Sequence, residues 1–300
     1  MAEDYRGRYL SAGARVAVIA PASPFDPPDF ERGVERLRER YEVRVDPSVL
    51  ARKGFFAGDD QRRLSELQAA IDDPAVDGII AARGGYGVTR LLSKLKLSAL
   101  NTRPKLVVGF SDITALHALW ARHRVLSIHA TMVAALGRVD MGLSGRHWRA
   151  LEGQFVELHS GLTTVVPGET EGVLLGGNLT VLTALLATPH ALPVEGAVLF
   201  FEDIGERPYR IDRMLTTWRD AGAFAAVRGI VLGAFTQCDP GLDGVSAPDV
   251  LIERLSDLGI PVVLGLPAGH IDDNSELPFG RRVQLDATRG ELQLLPRRVA

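Results

Sequence analysis

The sequence predicts an α/β protein of two domains: an N-terminal, Rossmann-like, mostly parallel sheet with flanking helices, and a C-terminal α/β domain with a mixed sheet. Three observations predict it. Continuous apolar runs of strand length recur along the chain, as they do in strands buried on both faces. Helical patterns alternate with them, which is the signature of a parallel sheet. The composition, 300 residues with 46% apolar and 24% charged, is that of an ordinary globular chain with enough apolar material for one large core or two smaller ones.

In chain order, residues 14–21 (ARVAVIAP) read as a central strand, and PASPFDP after it as a loop. Residues 28–40 carry an amphipathic helical pattern and Tyr41–Val45 a second strand. Over 59–72 the spacing of Leu64, Leu67 and Ile71 predicts a helix, capped by Asp59 or Asp60. VDGIIAARGGYG (76–87) runs from strand to glycine loop, with VTRLLSKL continuing as a helix. KLVVGFSDIT repeats strand, tight turn and helix, and Val125–His129 reads as another short strand. A more polar stretch with poor periodicity follows. The expected organisation is therefore a domain over 1–136, a linker over 137–170 and a second domain over 171–300. That domain opens with strand, glycine turn and helix (EGVLLGGNLTVLTALLAT). AVLFFEDIGE, VRGIVLGAF and PVVLGLPAG are further strands, 247–258 a helix, and RRVQLDATRGELQLL a closing hairpin.

Several function classes fall away. A net charge of −3 leaves no electrostatic footprint for nucleic acid and no polybasic membrane patch. A single cysteine, Cys238, excludes a disulfide framework and a cysteine-based metal cage. The opening residues lack the pattern of a secretory signal, and no apolar run approaches the ~18 residues of a membrane span, so a cytoplasmic protein is expected. Neither a dinucleotide fingerprint nor a P-loop lysine is present, and no His and carboxylate pair shows metal-ligand spacing. No metal and no cofactor is expected.

Ligands of open α/β sheets bind at the carboxyl ends of strands. RGGYG, GFSD, FEDIGE and PAGH all place polar residues there. Ser111 follows LVVGF at the start of a helix, where backbone N–H groups point toward any oxyanion formed. The segment lacks the second glycine of a G-x-S-x-G elbow, and by itself it reads more readily as an N-cap than as a nucleophile. His270, after PVVLGLPAG, is a candidate base, better placed than His117, His129 or His190. Glu202, Asp203 and Glu206 compete to orient it, and spacing does not choose among them. In Arg83–Gly87, adjacent glycines, Gly84 among them, let the backbone approach a substrate; a tight turn without ligand is the plain alternative.

Seven segments in one order, VAVIAPAS, ARGGYGVTRLL, VVGFSDITALHALW, GVLLGGNLTVLTALLAT, FFEDIGERPYRIDRML, GIVLGAF and GLPAGH, together resemble the LD-carboxypeptidase family of serine peptidases. The likeness spans roughly residues 14–290 and is weakest over 137–170. It implies a nucleophile at Ser111, a carboxylate at Glu202, a base at His270, and oxyanion donors in the backbone N–H groups of Gly85 and Asp112. It implies release of terminal D-alanine from murein tetrapeptides in cell-wall recycling, through an acyl-enzyme, by a homodimer. Arg83, Arg207 and Arg210 are candidates, by charge, for the D-alanine carboxylate. Relatives that cleave peptidyl or aminoacyl nucleotide antibiotics of the microcin type give one alternative. A non-catalytic, two-lobed metabolite-binding protein gives another, which leaves serine, glutamate and histidine at strand ends unexplained.

Overall fold

A computed structural model describes residues 4–138 and 141–298. Its strands are β1 (Arg15–Ile19), β2 (Glu42–Val45), β3 (Gly78–Ala81), β4 (Leu106–Gly109), β5 (Ser127–His129), β6 (Leu158–His159), β7 (Thr163–Val166), β8 (Glu169–Asn178), β9 (Ala197–Ile204), β10 (Gly229–Thr236), β11 (Val262–Leu264), β12 (Leu277–Phe279), β13 (Arg282–Asp286) and β14 (Glu291–Leu294). They form two sheets, and the chain divides into two compact units.

The first unit comprises Tyr5–Phe155 and Glu276–Pro278. Its sheet runs β12-β5-β4-β3-β1-β2, and the pairs from β5 to β2 are all parallel. Every residue of β3 and β4 is buried, which is why these strands read as unbroken apolar runs. Helix Asp60–Asp72 starts where Asp59 accepts the Arg62 N–H, and it buries Leu67 and Ile71. Leu64 is only half-buried, and Arg63, a charge on the same helix, is wholly buried.

The second unit comprises Val156–Ser275 and the chain from Phe279 onward, together with Asp4. Its sheet runs β6-β14-β13-β8-β9-β10-β11-β7. The centre, β8 to β11, is parallel, and β13, β14 and β7 pair antiparallel, so the sheet is mixed. β13 and β14 are the expected closing hairpin.

Two segments differ from the sequence reading. VTRLLSKL is not a continued helix: it forms two 3₁₀ turns, Val88–Arg90 and Leu92–Lys94. Gly87 offers the first no side-chain cap, and the Asp112 carboxylate accepts the Val88 N–H instead. Residues 137–170, expected as a linker, contain helix Met141–Leu151 and the strands β6 and β7, and the division between units falls at Phe155 and Val156. β7 alternates poorly because two of its four residues are exposed and the other two only half-buried, which hid it from a periodicity argument.

Candidate active site

In the first unit, β4 ends at Gly109, Phe110 is extended, and Ser111 takes φ 62°, in the left-handed region. A 3₁₀ turn, Ser111–Ile113, then leads into helix Thr114–Arg122. Neither the turn nor the helix receives a side-chain cap hydrogen bond, so Ser111 is not an N-cap. A left-handed serine costs about 1 kcal/mol or more, and such strain gathers at functional turns. Its effect is to stand the half-buried side chain on a sharp corner at the carboxyl edge of the sheet.

The loop after β3 presses against that corner. A Cβ on Gly84 would stand 2.8 Å from Ser111 Cβ and 3.1 Å from its Oγ, so only glycine allows the approach. Gly85 follows at φ 109°, exposed, and its N–H makes no hydrogen bond among the described residues. The Asp112 N–H belongs to the first turn of a helical segment, where amide donors lack partners within the helix. Both donors belong to segments that border Ser111.

In the second unit, β9 carries Glu202 and Asp203 to the sheet's carboxyl end. Successive strand residues point to opposite faces, and their partners differ accordingly. Glu202 is fully buried, and its Oε2 lies 2.7 Å from His270 Nδ1. Asp203 faces the start of helix Leu179–Leu185, accepting from Asn178 Nδ2 (2.9 Å), the Thr180 N–H (2.9 Å) and Thr180 Oγ1 (2.8 Å). Burial pushes the Asp203 carboxyl above the usual range. Glu206 pairs with Arg210 at 3.5 Å. Of the three competing acids, Glu202 alone reaches the histidine. The loop after β11 holds that histidine in place: the Gly269 N–H donates to Asn274 Oδ1 at 2.8 Å. With Nδ1–H directed at the carboxylate, Nε2 is the basic nitrogen of the half-buried ring.

The other histidines are less suited to proton transfer. His117 is buried, with Nε2 donating to the Gly109 carbonyl at 2.9 Å, and burial drives its pKa down to about 4. His129 is buried beside Phe110, ring centroids 5.4 Å apart. The three arginines proposed for a carboxylate already have partners: Arg83 Nη1 donates to Pro24 O at 2.6 Å, Arg207 Nη1 to Pro240 O at 3.2 Å, and Arg210 pairs with Glu206. Among the described residues no cluster of His, Cys, Asp and Glu could hold a metal ion, and no helix is long and apolar enough to cross a membrane.

The sequence reading overlooked Ser23, in the loop after β1. Its Oγ accepts the Tyr86 N–H at 3.1 Å, and its own N–H donates to the Gly84 carbonyl at 3.2 Å. The signal available was its place in VAVIAPAS, a polar residue just past the end of a central strand.

Comparison with known families matches residues 16–130 to the LD-carboxypeptidase N-terminal domain and residues 171–285 to the C-terminal domain. The chain belongs to the LD-carboxypeptidase family. A relative from Streptomyces coelicolor is 41% identical over 98% of this chain and 97% of its own length. The murein tetrapeptide carboxypeptidase of Pseudomonas aeruginosa is 30% identical, over 92% of this chain and 94% of its own. The crystal structure of muramoyltetrapeptide carboxypeptidase from Oxalobacter formigenes superposes with a TM-score of 0.83 at 32% identity, covering 95% of this chain and all (100%) of that one. Structures of the microcin C7 self-immunity protein share the fold, with a TM-score of 0.87 at 19% identity for the aspartyl sulfamoyl adenosine complex, which covers 98% of this chain and 99% of that one. The protein is thus a peptidase with the two-domain α/β fold of its family.

Proposed function

We propose that this member of the LD-carboxypeptidase family is a serine peptidase that releases the terminal D-alanine of murein tetrapeptides, with Ser111 as nucleophile, His270 as base and Glu202 as the carboxylate that orients it. The observation that carries the reading is the left-handed Ser111 at a strand-to-helix corner, where it caps nothing. The Glu202–His270 hydrogen bond supports it independently.

In this reading His270 Nε2 takes the proton of Ser111 Oγ as the oxygen attacks the carbonyl carbon at the L-configured centre. The oxyanion is received by the Gly85 and Asp112 N–H groups, each such donor supplying about 10²-fold or more in rate. The C–N bond then breaks, His270 delivers its proton to the D-alanine nitrogen, and an acyl-Ser111 ester remains. Water, deprotonated by the same imidazole, hydrolyses the ester and restores Ser111. Glu202 keeps the proton on Nδ1 and stabilises the imidazolium. The reading requires Ser111 Oγ and His270 Nε2 to come within ~3 Å during turnover.

The names of the relatives support a murein peptide as substrate. A place in cell-wall recycling, a cytoplasmic location and a homodimeric state complete the reading; sedimentation of the purified protein tests the last. The decisive experiment assays murein tetrapeptide against an aminoacyl sulfamoyl adenosine, with the wild type and with Ser111→Ala. The expected result is D-alanine release that is lost in Ser111→Ala. Full cleavage by Ser111→Ala would overturn the triad, and cleavage of the nucleotide conjugate alone would move the substrate to the antibiotic class.

A further inference from the structure

The two proposed oxyanion donors come from different segments, Gly85 after β3 and Asp112 after β4. Electrostatic stabilisation of this kind depends on donors fixed before reaction, within about 0.5 Å of the productive geometry. Yet Arg83–Gly87 contains three glycines in five residues, and Gly85 and Tyr86 are exposed. Such a segment has little stiffness of its own.

Side chains outside the triad supply it. Ser23 holds the loop near Gly85, accepting the Tyr86 N–H and donating its backbone N–H to the Gly84 carbonyl. The Asp112 side chain, 2% exposed, turns back from the nucleophile's corner, and its Oδ2 accepts the Val88 N–H at 2.9 Å. That bond joins the two donor segments directly. Arg63, wholly buried, lies beneath the loop: it pairs with Asp60 at 2.5 Å, donates to the Pro21 carbonyl, and occupies the space a Cβ on Gly87 would need. Burial pushes the Asp112 carboxyl up to about 6, opposed by the Val88 N–H, the Arg63 charge and the Gly87 N–H. Burying a carboxylate is costly even when it is hydrogen-bonded, and a hydrophobic side chain would fill the same space more cheaply.

We infer that Asp112 is a positioning residue, whose carboxylate, through the Val88 N–H and together with Ser23, sets the spacing of the Gly85 and Asp112 amides around the reacting oxygen. The inference rests on the oxyanion role proposed above. It gives one residue two tasks: its amide receives the oxyanion and its side chain fixes the other amide's loop.

The test uses Asp112→Ala, Asp112→Asn and Ser23→Ala in the full chain. Two readouts apply: kcat and KM on a murein tetrapeptide, and the rate at which a fluorophosphonate modifies Ser111. In that reaction the Ser111 Oγ–P bond forms, fluoride leaves, and the phosphoryl oxygen takes the oxyanion's place. Asp112→Ala and Ser23→Ala are expected to lower kcat and the labelling rate in parallel, by about 10- to 100-fold, with KM within about threefold. Asp112→Asn keeps an acceptor for the Val88 N–H and is expected to recover most of the loss. Unchanged kcat in folded Asp112→Ala overturns the inference, as does a rise in KM alone or an Asn variant as slow as Ala. Should Asp112→Ala fail to fold, Ser23→Ala decides, because a half-buried serine loses only a hydroxyl. Full activity in Ser111→Ala would instead remove the mechanism beneath the inference, so the two failures are distinguishable.

Discussion

At φ 62°, Ser111 occupies backbone space that a side chain disfavours and glycine tolerates. Ser111→Gly is therefore expected to abolish cleavage while raising stability by about 0.5–1 kcal/mol, whereas Ser111→Ala abolishes cleavage and keeps the strain. Thermal unfolding of the two variants checks this; a glycine variant that melts below the alanine one would show that the corner holds no strain. Glu202 makes a different demand. Its fully buried carboxylate accepts from His270 Nδ1, and an amide in its place presents an N–H there and turns the imidazole to the wrong tautomer. Glu202→Gln is expected to lower kcat by about 10³–10⁴-fold with little change in KM. Steady-state kinetics above and below neutrality would test it, and a loss confined to KM would place Glu202 in substrate binding. Spacing alone left Glu202, Asp203 and Glu206 as equals, because strand alternation puts Glu202 and Asp203 on opposite faces without saying which face holds the histidine; the family resemblance chose Glu202.

The central strands were legible because burial on both faces leaves an unmistakable run: GIIA and LVVG are buried at every position. Caps were legible too. Asp59 was one of two residues read as starting the helix that carries Arg63, and its carboxylate accepts the Arg62 N–H at 2.9 Å. Asp59→Ala is expected to cost about 1 kcal/mol in urea unfolding and to leave kcat unchanged under conditions where the variant is folded. An unaltered unfolding midpoint would show the cap to be idle. Other elements were illegible for physical reasons. VTRLLSKL has helical spacing at Val88, Leu91, Leu92 and Leu95, yet the segment settles into two 3₁₀ turns, a choice that apolar spacing does not distinguish from an α-helix. The β7 strand, with two residues exposed and two half-buried, lacks the contrast between apolar and polar positions that a pattern argument needs.

Over the whole molecule, the sequence showed two α/β assemblies but not the path between them: Glu276–Pro278 leaves the second unit and returns to the first, where β12 lies beside β5. A three-residue excursion of this kind has no compositional mark. Titration of buried groups has no such mark either, yet it governs how global stability follows pH. His117 lies in a helix whose residues 114–121 are all buried, and its neutral ring donates to the Gly109 carbonyl. Burial holds its pKa at about 4 against an ordinary 6.5. Between those values the unfolded chain binds a proton that the folded one refuses. The contribution of His117 is therefore complete above pH 6.5 and is lost as the pH falls toward 4, by roughly 3 kcal/mol. Asp112, Glu66 and Asp203, whose pKa values burial raises, act in the opposite sense, so the parent's stability curve alone does not isolate the histidine. The comparison that does is His117→Gln, which keeps a donor for Gly109 and cannot titrate. At pH 7.5 the variant is expected to be the less stable by whatever its imperfect fit costs. On going to pH 4 the gap should shrink by roughly 3 kcal/mol and can reverse sign, because only the parent gains a proton on unfolding. Urea unfolding at half-unit pH intervals measures the gap, and a gap that stays constant from pH 7.5 to 4 would mean that His117 binds its proton equally well folded and unfolded.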